Sequence, residues 1–444
     1  MDDAALRIPV HPFVVREGVE RQADLKDVAK NVMGGVWLDF PSESISVAAI
    51  GGGITNLLFK LDGPETENPV LVRIYGQDTE VLIDRERDNA LYNELAIVGF
   101  APPFHGRFTN GRVEGFLQAR PLEPSQMSER SPVNFVSLIA KELARLHRLS
   151  VTTVGPAGEA ELWQVLPKWL QLAKGLNFED EAKASAIAEL DLEWMCREAE
   201  WLKRQLHPSC ERNGGGAPTK ATSAEEDLPA SGGSANGLPG HESVEERAKH
   251  FMSDVVLCHN DLLGGNVLHT EGWDRVQVID FEYSGFNHRG FDIANHFCEH
   301  AGFDSDYAKS YPTADTQKAF LRAYFQAAAP STVTPNAQTN GTKHAGDTGE
   351  SAAPQNTTRK EKEQPTPTSG GDESIEHPGS DDEAFVEALR TEANRWTLPS
   401  HLSWAAWAVV QAYYSPIEFD FVDYARLRLA GYRLHKEAFF GTEG

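Results

Sequence analysis

His259-Asn260-Asp261-Leu262-Leu263-Gly264-Gly265-Asn266, followed shortly by Val278-Ile279-Asp280-Phe281-Glu282, is the stretch on which the reading of this chain turns. In outline it is H-x-D-x-x-x-x-N, with an aspartate closing the apolar strand that comes after. Phosphoryl transfer needs this set of side chains: one carboxylate to receive a hydroxyl proton, and an Asn with a second Asp to hold Mg²⁺ against the phosphates of ATP. Asp261 is therefore the candidate base, and Asn266 and Asp280 are the candidate metal ligands. Turn hydrogen bonding alone does not call for four such positions in order between apolar strands.

Upstream, Ser44 to Gly76 alternates like sheet, with strands expected over Ile45 to Ile50, Ile54 to Leu61 and Val70 to Tyr75. Gly51-Gly52-Gly53-Ile54-Thr55-Asn56 forms the first turn, where small residues let backbone approach phosphates. A glycine turn in a hairpin also has an ordinary explanation. Arg73 stands on the third strand where a phosphate-binding cation is needed, and Glu86 or Asp88 on the next helix, Asp84 to Ile97, is its expected partner. A further strand is expected over Val113 to Ala119, then mostly helix, including Phe135 to Leu149 and Glu181 to Leu206. The fold class that follows is α+β in two lobes, a sheet-rich, nucleotide-binding N-lobe (1–120) and a mostly helical, catalytic and substrate-binding C-lobe (121–444).

Two stretches interrupt this pattern. Residues 211–246 are dominated by Gly, Ala, Ser, Pro and acidic side chains, and in residues 328–380 the only branched or aromatic apolar side chains are Val333 and Ile375. Neither can offset the entropy of ordering, so both are expected to be disordered insertions. The formal charge of −25, from 66 acidic and 41 basic residues, argues against nucleic acid as partner and suits a cationic substrate or a metal ion. The four cysteines form neither a disulfide framework nor a zinc pattern. The start lacks a secretory apolar core and the longest apolar run, Trp404 to Val410, is far too short for a membrane span, so a cytoplasmic location is expected.

The segments Val70–Gly76 (VLVRIYG), Leu257–Leu268 (LCHNDLLGGNVL), Ile279–Glu299 (IDFEYSGFNHRGFDIANHFCE) and Ser403–Tyr424 (SWAAWAVVQAYYSPIEFDFVDY) together resemble the choline/ethanolamine kinase family. The resemblance covers nearly the whole chain apart from the two insertions. It implies the kinase-like fold shared with aminoglycoside phosphotransferases, ATP with Mg²⁺ as cofactors, and the first step towards phosphatidylethanolamine or phosphatidylcholine. Residue by residue, it implies Asp261 as base, Asn266 and Asp280 as metal ligands, and Arg73 at the nucleotide, where the reading of the glycine turn also places Gly52, Gly53 and Asn56. It also implies an alcohol pocket lined by Glu282, Tyr283, Glu299, Trp404, Trp407 and Tyr424, with Asp292 and His259 bracing the catalytic loop.

Carboxylates and aromatic faces suit a substrate ammonium, although paired tryptophans also serve ordinary core packing. After Glu299 the chain reads His300-Ala301-Gly302-Phe303-Asp304, a small pair where choline kinases resemble one another in carrying bulky aromatics. That change, with Leu262-Leu263 after the base, is similar to the ethanolamine branch. The expectation is thus an ethanolamine kinase. Choline kinase, a dual enzyme and a catalytically inactive binding module with the same fold are the alternatives. The partners expected are a small amino alcohol and, at most, a second copy of the chain. Gly115, in the expected connector, offers no side chain to adenine.

Overall fold

The computed structural model describes residues 8, 10–51, 53–154, 159–206, 242–328 and 380–441. Where the sequence alternates near the start, six strands form one sheet: β1 (Val10–His11), β2 (Ser46–Ile50), β3 (Asn56–Asp62), β4 (Val70–Tyr75), β5 (Phe104–Phe108) and β6 (Gly111–Gly115). Their spatial order is β1-β5-β6-β4-β3-β2, antiparallel throughout except for the β1/β5 pair. β4 lies between two partners with Val70, Val72, Arg73 and Ile74 buried, so its sequence is an almost unbroken apolar run, whereas the edge strand β2 is largely exposed. The helices α1 (Arg21–Met33) and α2 (Gly35–Asp39) supply Leu25, Val28, Ala29 and Trp37 to a small core with Leu61, Val70, Val72 and Val113.

Helix α3 (Arg85–Ile97) begins where Asp84 accepts a hydrogen bond from the Arg87 N–H, and its Leu91, Tyr92 and Leu95 join the larger core of the following lobe. The strand expected over Val113 to Ala119 stops at Gly115. From there the chain turns at Leu117–Ala119 to become the connector between the lobes. Strands β1 and β5 and helix α1 were not expected, because β5 (FHGRF) lacks a clean alternation and β1 is only two residues long.

The second part holds β7 (Arg120–Pro121), α4 (Phe135–Leu146), α5 (Leu162–Gly175), α6 (Glu181–Ala188), α7 (Leu192–Leu206), α8 (Val244–Ser253), β8 (Val255–Cys258), β9 (Val267–His269), β10 (Gln277–Val278) and β11 (Gly285–His288). It continues through α9 (Arg289–Glu299), α10 (Tyr307–Ser310), α11 (Ala314–Ala328), α12 (Ser380–Arg395), α13 (Thr397–Tyr414) and α14 (Phe421–Phe440). Helix α13 is buried on every side from Thr397 to Ala412, as an all-round apolar helix must be, and packs against α14, α5 and α9. The single helix expected over Glu181 to Leu206 is two, because Asp191 adopts a left-handed φ of 52° that α-helix does not allow.

Residues 211–241 of the first expected insertion lie outside the described residues. Its last three residues, 244–246, instead open α8, where Ser243 and Glu246 form a reciprocal capping box. The second expected insertion starts at Ala328, the last residue of α11, and ends at Ser380, the first of α12; residues 329–379 lie outside the described residues. Among the described residues, no helix is long and apolar enough to cross a membrane.

Candidate active site

β8 and β11 pair in antiparallel register, with Cys258 opposite Gly285, and this brings the loop after β8 beside the start of α9. There Asp292, fully buried, accepts hydrogen bonds from the backbone N–H groups of His259 (2.7 Å) and Asn260 (2.8 Å). His147 Nε2 lies 2.9 Å from the same carboxylate, and its Nδ1 lies 2.6 Å from the Tyr324 hydroxyl. Burial opposes the Asp292 charge, but the His147 contact and the loop N–H outweigh it and hold the carboxyl below its usual range. These bonds pin Asn260 at a left-handed φ of 64°, and its side chain spans Tyr283 O and Asn287. His259 accepts from the Asp261 N–H at Nδ1 and donates from Nε2 to Ile279 O, so both ring nitrogens are engaged within the loop. The expected bracing roles of Asp292 and His259 match this geometry.

Asp261 is half-buried, and its carboxyl is pushed well above the ordinary range, first by burial and then by the charges of Glu299, Asp280 and Glu282. The Asn266 amide donates to Asp261 O (2.9 Å) and Oδ2 (3.2 Å), which leaves Asn266 Oδ1 for a cation. Gly264 in the same turn is needed for close approach: a Cβ there would sit 2.6 Å from Leu122 O, and Leu122 N–H donates to Gly264 O. Asp280 follows β10 at a left-handed φ of 66° and is raised to about 6, chiefly by burial and against the pull of Arg73. With a side chain one-quarter exposed, it is the open carboxylate beside Asn266. Oxygen donors of this kind suit Mg²⁺, which takes one or two protein ligands and completes its shell with phosphate and water.

Arg73 reaches Asp280 (3.0 Å), but not an acidic residue on α3. Its Nε pairs with Glu114 Oε1 at 3.0 Å. The reason is register: Arg73 stands opposite Arg112 across the β4/β6 ladder, which puts Glu114, two residues further along the same face, on the diagonal. Glu114 bridges Arg73 and Arg112 and is lowered to about 2, the two guanidinium groups outweighing the burial that opposes its charge. Of the residues expected instead, Asp88 pairs with Arg112 (2.8 Å) and Glu86 with Arg107 at the surface (2.8 Å).

A cavity of about 650 Å³ runs from the glycine turn to the helical lobe. Gly53, Leu71, Gly115, Phe116 and Leu117 line its outer end, Asp261, Asn266 and Asp280 its middle, and Tyr283, Glu299, Trp404, Trp407 and Tyr424 its inner end. Gly52 lies outside the described residues. The tryptophans turn out to be both core and lining. Trp404 Nε1 donates to Asn295 (2.7 Å) and Trp407 Nε1 to the Tyr283 hydroxyl (2.8 Å), so neither indole N–H is left unsatisfied. Their rings meet edge-on at 5.4 Å between centroids, and Tyr283 meets Trp404 at the same separation.

Three placements differ from expectation. Asn56 donates to Glu282 (2.9 Å) and to Thr55, so it ties the glycine turn down rather than standing free for nucleotide. Glu282 is gripped by Arg85 (2.8 Å), Asn56 and Thr55, which occupies the carboxylate expected to face the ammonium. Burial opposes its charge, yet Arg85 and Arg73 prevail and keep it below the usual range. Third, the small pair after Glu299 does not leave that side bare. Ala301 is buried away from the cavity, but Phe303 lines it, 49 % exposed, with its ring 6.0 Å from Tyr424 and 5.6 Å from Phe419.

Sequence reading also missed Arg428. It is buried and pairs with Glu299 Oε1 at 2.9 Å, touching the Tyr424 hydroxyl (3.3 Å) and Ser400 (2.8 Å) as well. The signal was present in the spacing, since Arg428 stands one helical turn after Tyr424 and on its face.

Comparison with known proteins agrees with this geometry. Residues 47–214 and 220–433 match the family model described as Choline/ethanolamine kinase. A protein of Arabidopsis thaliana named probable ethanolamine kinase is 30% identical, over 98% of this chain and 92% of its own length. Ethanolamine kinase 1 of Mus musculus is 31% identical, over 86% and 81%. Among solved structures, Plasmodium vivax ethanolamine kinase superposes with a TM-score of 0.62 at 23% identity, covering 98% of this chain and 99% of that one. A choline kinase from Cryptosporidium parvum does so at 0.61 and 21%, covering 94% and 95%. At these identities the two structures share the fold.

Proposed function

This chain belongs to the choline/ethanolamine kinase family, and from that premise we propose that it transfers the γ-phosphoryl group of ATP to the hydroxyl of ethanolamine, with Mg²⁺ as the cation and the cytoplasm as its place of work. One observation carries the reading. Asp261, the metal-type pair Asn266 and Asp280, and a group of aromatic faces with Glu299 all line one and the same cavity.

In this reading Asp261 accepts the hydroxyl proton and orients the attacking oxygen. The Asn266 amide, bonded to Oδ2 and to the backbone oxygen of Asp261, holds the carboxyl in place for that role. Asn266 and Asp280 would hold Mg²⁺, which supplies charge neutralisation at the phosphates. Arg73, fixed by Glu114 and Asp280, presents a guanidinium at the same end. Such fixed charges do most of the work in phosphoryl transfer, because they need no reorganisation when charge develops.

Glu299, Tyr283, Trp404, Trp407 and Tyr424 would receive the ammonium. Arg428 takes one Glu299 oxygen and leaves the other as an acceptor. Ethanolamine brings three N–H donors to that end of the cavity, whereas choline brings methyl groups and no donor. Acceptors left unpaired by a methylated analogue discriminate strongly against it. The choline or dual alternative keeps one observation in its favour, the Phe303 ring beside Tyr424 in the cavity lining. Turnover with ethanolamine, its monomethyl and dimethyl forms and choline, side by side, separates the readings. Equal or better kcat/KM for choline overturns the ethanolamine assignment.

A further inference from the structure

Glu282 belongs to the helical lobe, yet every side chain that grips it comes from the sheet lobe. Thr55 Oγ1 donates to Oε1, while Asn56 Nδ2 (2.9 Å) and Arg85 Nη1 (2.8 Å) donate to Oε2. Thr55 and Asn56 are the last two residues of the glycine turn, Asn56 opening β3, and Arg85 is the first residue of α3. The contacts continue into a closed circuit. Arg85 Nη2 donates to Thr79 Oγ1 (2.7 Å), Thr79 Oγ1 donates to Gly76 O (2.9 Å), and Gly76 N–H donates to Thr55 O (2.9 Å). Gly76 is required here, since a Cβ would lie 2.6 Å from Thr55 O. The Arg85 guanidinium lies 4.6 Å above the centre of the Tyr75 ring, so it is held from a further side.

We propose that Arg85 and Thr55 are positioning residues for the nucleotide: through Glu282 they latch the turn over the phosphates to the segment that carries Asp280. The inference rests on the kinase reading above, and it gives Glu282 a role different from the ammonium contact that the family resemblance implies. A two-residue separation makes the coupling direct. Glu282 and Asp280 share one short backbone segment, so a donor that fixes the first fixes the approach of the second. Arg85 also offsets the Glu282 charge, which would otherwise stand buried beside Asp280 without a close cation of its own.

The latch makes a claim that general structural support does not. Loosening it affects the nucleotide end of the cavity and spares the ammonium end. The test uses the full chain with Thr55→Val, which removes the hydroxyl and keeps the branched shape, Thr55→Ser, which keeps it, and Arg85→Gln. MgATP affinity is measured by calorimetry without acceptor, and KM for both substrates by ADP release. Without that hydroxyl the turn is no longer held to Glu282 before nucleotide arrives, so Thr55→Val is expected to weaken MgATP binding by about tenfold, a change of about 1.4 kcal/mol. KM for the acceptor is expected to stay within about twofold, Thr55→Ser to recover most of the affinity, and Arg85→Gln to show the same one-sided loss.

Wild-type MgATP affinity in folded Thr55→Val overturns the proposal. So does an equal rise in both KM values, which is the signature of diffuse destabilisation. Should Arg85→Gln fail to fold, Thr55→Val and Thr55→Ser decide alone. The calorimetric arm needs no amino alcohol, so a wrong acceptor assignment shows as absent turnover and leaves the latch result readable.

Discussion

Asp292→Asn tests how the catalytic loop is held. The carboxylate is fully buried and meets three donors with two oxygens: the N–H of His259 at 2.7 Å, that of Asn260 at 2.8 Å, and His147 Nε2 at 2.9 Å. Asparagine keeps one acceptor and turns an amide donor towards the groups that faced the other. At least one charge-assisted bond, worth about 1.5–3 kcal/mol, is lost outright and a buried donor is orphaned. Together these place the destabilisation at about 3–5 kcal/mol, the range seen on breaking a buried charged contact. Against a total stability of about 5–15 kcal/mol the variant should still fold at 25 °C, but with a much lower urea midpoint. The loop N–H bonds also set the left-handed turn at Asn260 and hence the place of Asp261. A shift of even about 1 Å there is expected to cost about a hundredfold in kcat. Urea unfolding gives the first quantity and steady-state kinetics the second. A folded Asp292→Asn enzyme that loses less than about 1 kcal/mol and keeps kcat within about threefold would refute the bracing argument.

Asp261→Asn should nearly abolish turnover while leaving the melting temperature close to wild type; retention of more than about a tenth of kcat, a barrier change below about 1.4 kcal/mol, removes it as the base. Glu299→Gln should reduce ethanolamine turnover more than choline turnover, because it removes charge at the inner end of the cavity where only the former brings N–H donors; equal losses in parallel assays would count against that placement. Glu114 titrates low in the folded chain, about 2 against an ordinary 4.5, so its ionisation supports the fold above about pH 4.5 and that support fades as pH falls towards 2. The shift corresponds to about 3 kcal/mol, so Glu114→Gln should be less stable than wild type by about that much at pH 7 in urea, with the gap falling to about half at pH 3. A gap that does not narrow with acid would show that the Arg73–Glu114–Arg112 cluster does not stabilise through charge.

What the sequence disclosed was what lies close together along it. The H-x-D-x-x-x-x-N run, the Asp280 strand end, the β2/β3 hairpin and α3 all carry their geometry within a few residues, and each stands where the spacing puts it. Partners set by register were not legible. Arg73 meets Glu114 only because β4 pairs with β6, and a reader without that register looks to the next helix in sequence. Glu282 finds Thr55, Asn56 and Arg85 about two hundred residues upstream, and nothing local to Phe281-Glu282-Tyr283 announces them. The Trp404/Trp407 pair was ambiguous between core and pocket because both descriptions hold: their N–H groups are bonded inward and their rings border the cavity. The helix break at Asp191 escaped because the apolar spacing continues across it in Ile187, Leu190 and Met195.

The Arg73–Glu114 pair has a bearing on how such an enzyme can be governed. Protein kinases join their phosphate-binding cation to an acid carried on a helix, and displacing that helix uncouples the pair and silences the site. Here the acid rides on the adjacent strand, and the backbone ladder from Val70/Gly115 to Ile74/Gly111 runs past the pair on both sides. Separating the two strands means unzipping a sheet, and α3 adds a hold of its own, the Tyr92 hydroxyl donating to Glu114 Oε2 at 3.1 Å, so the acid is tied to sheet and helix alike.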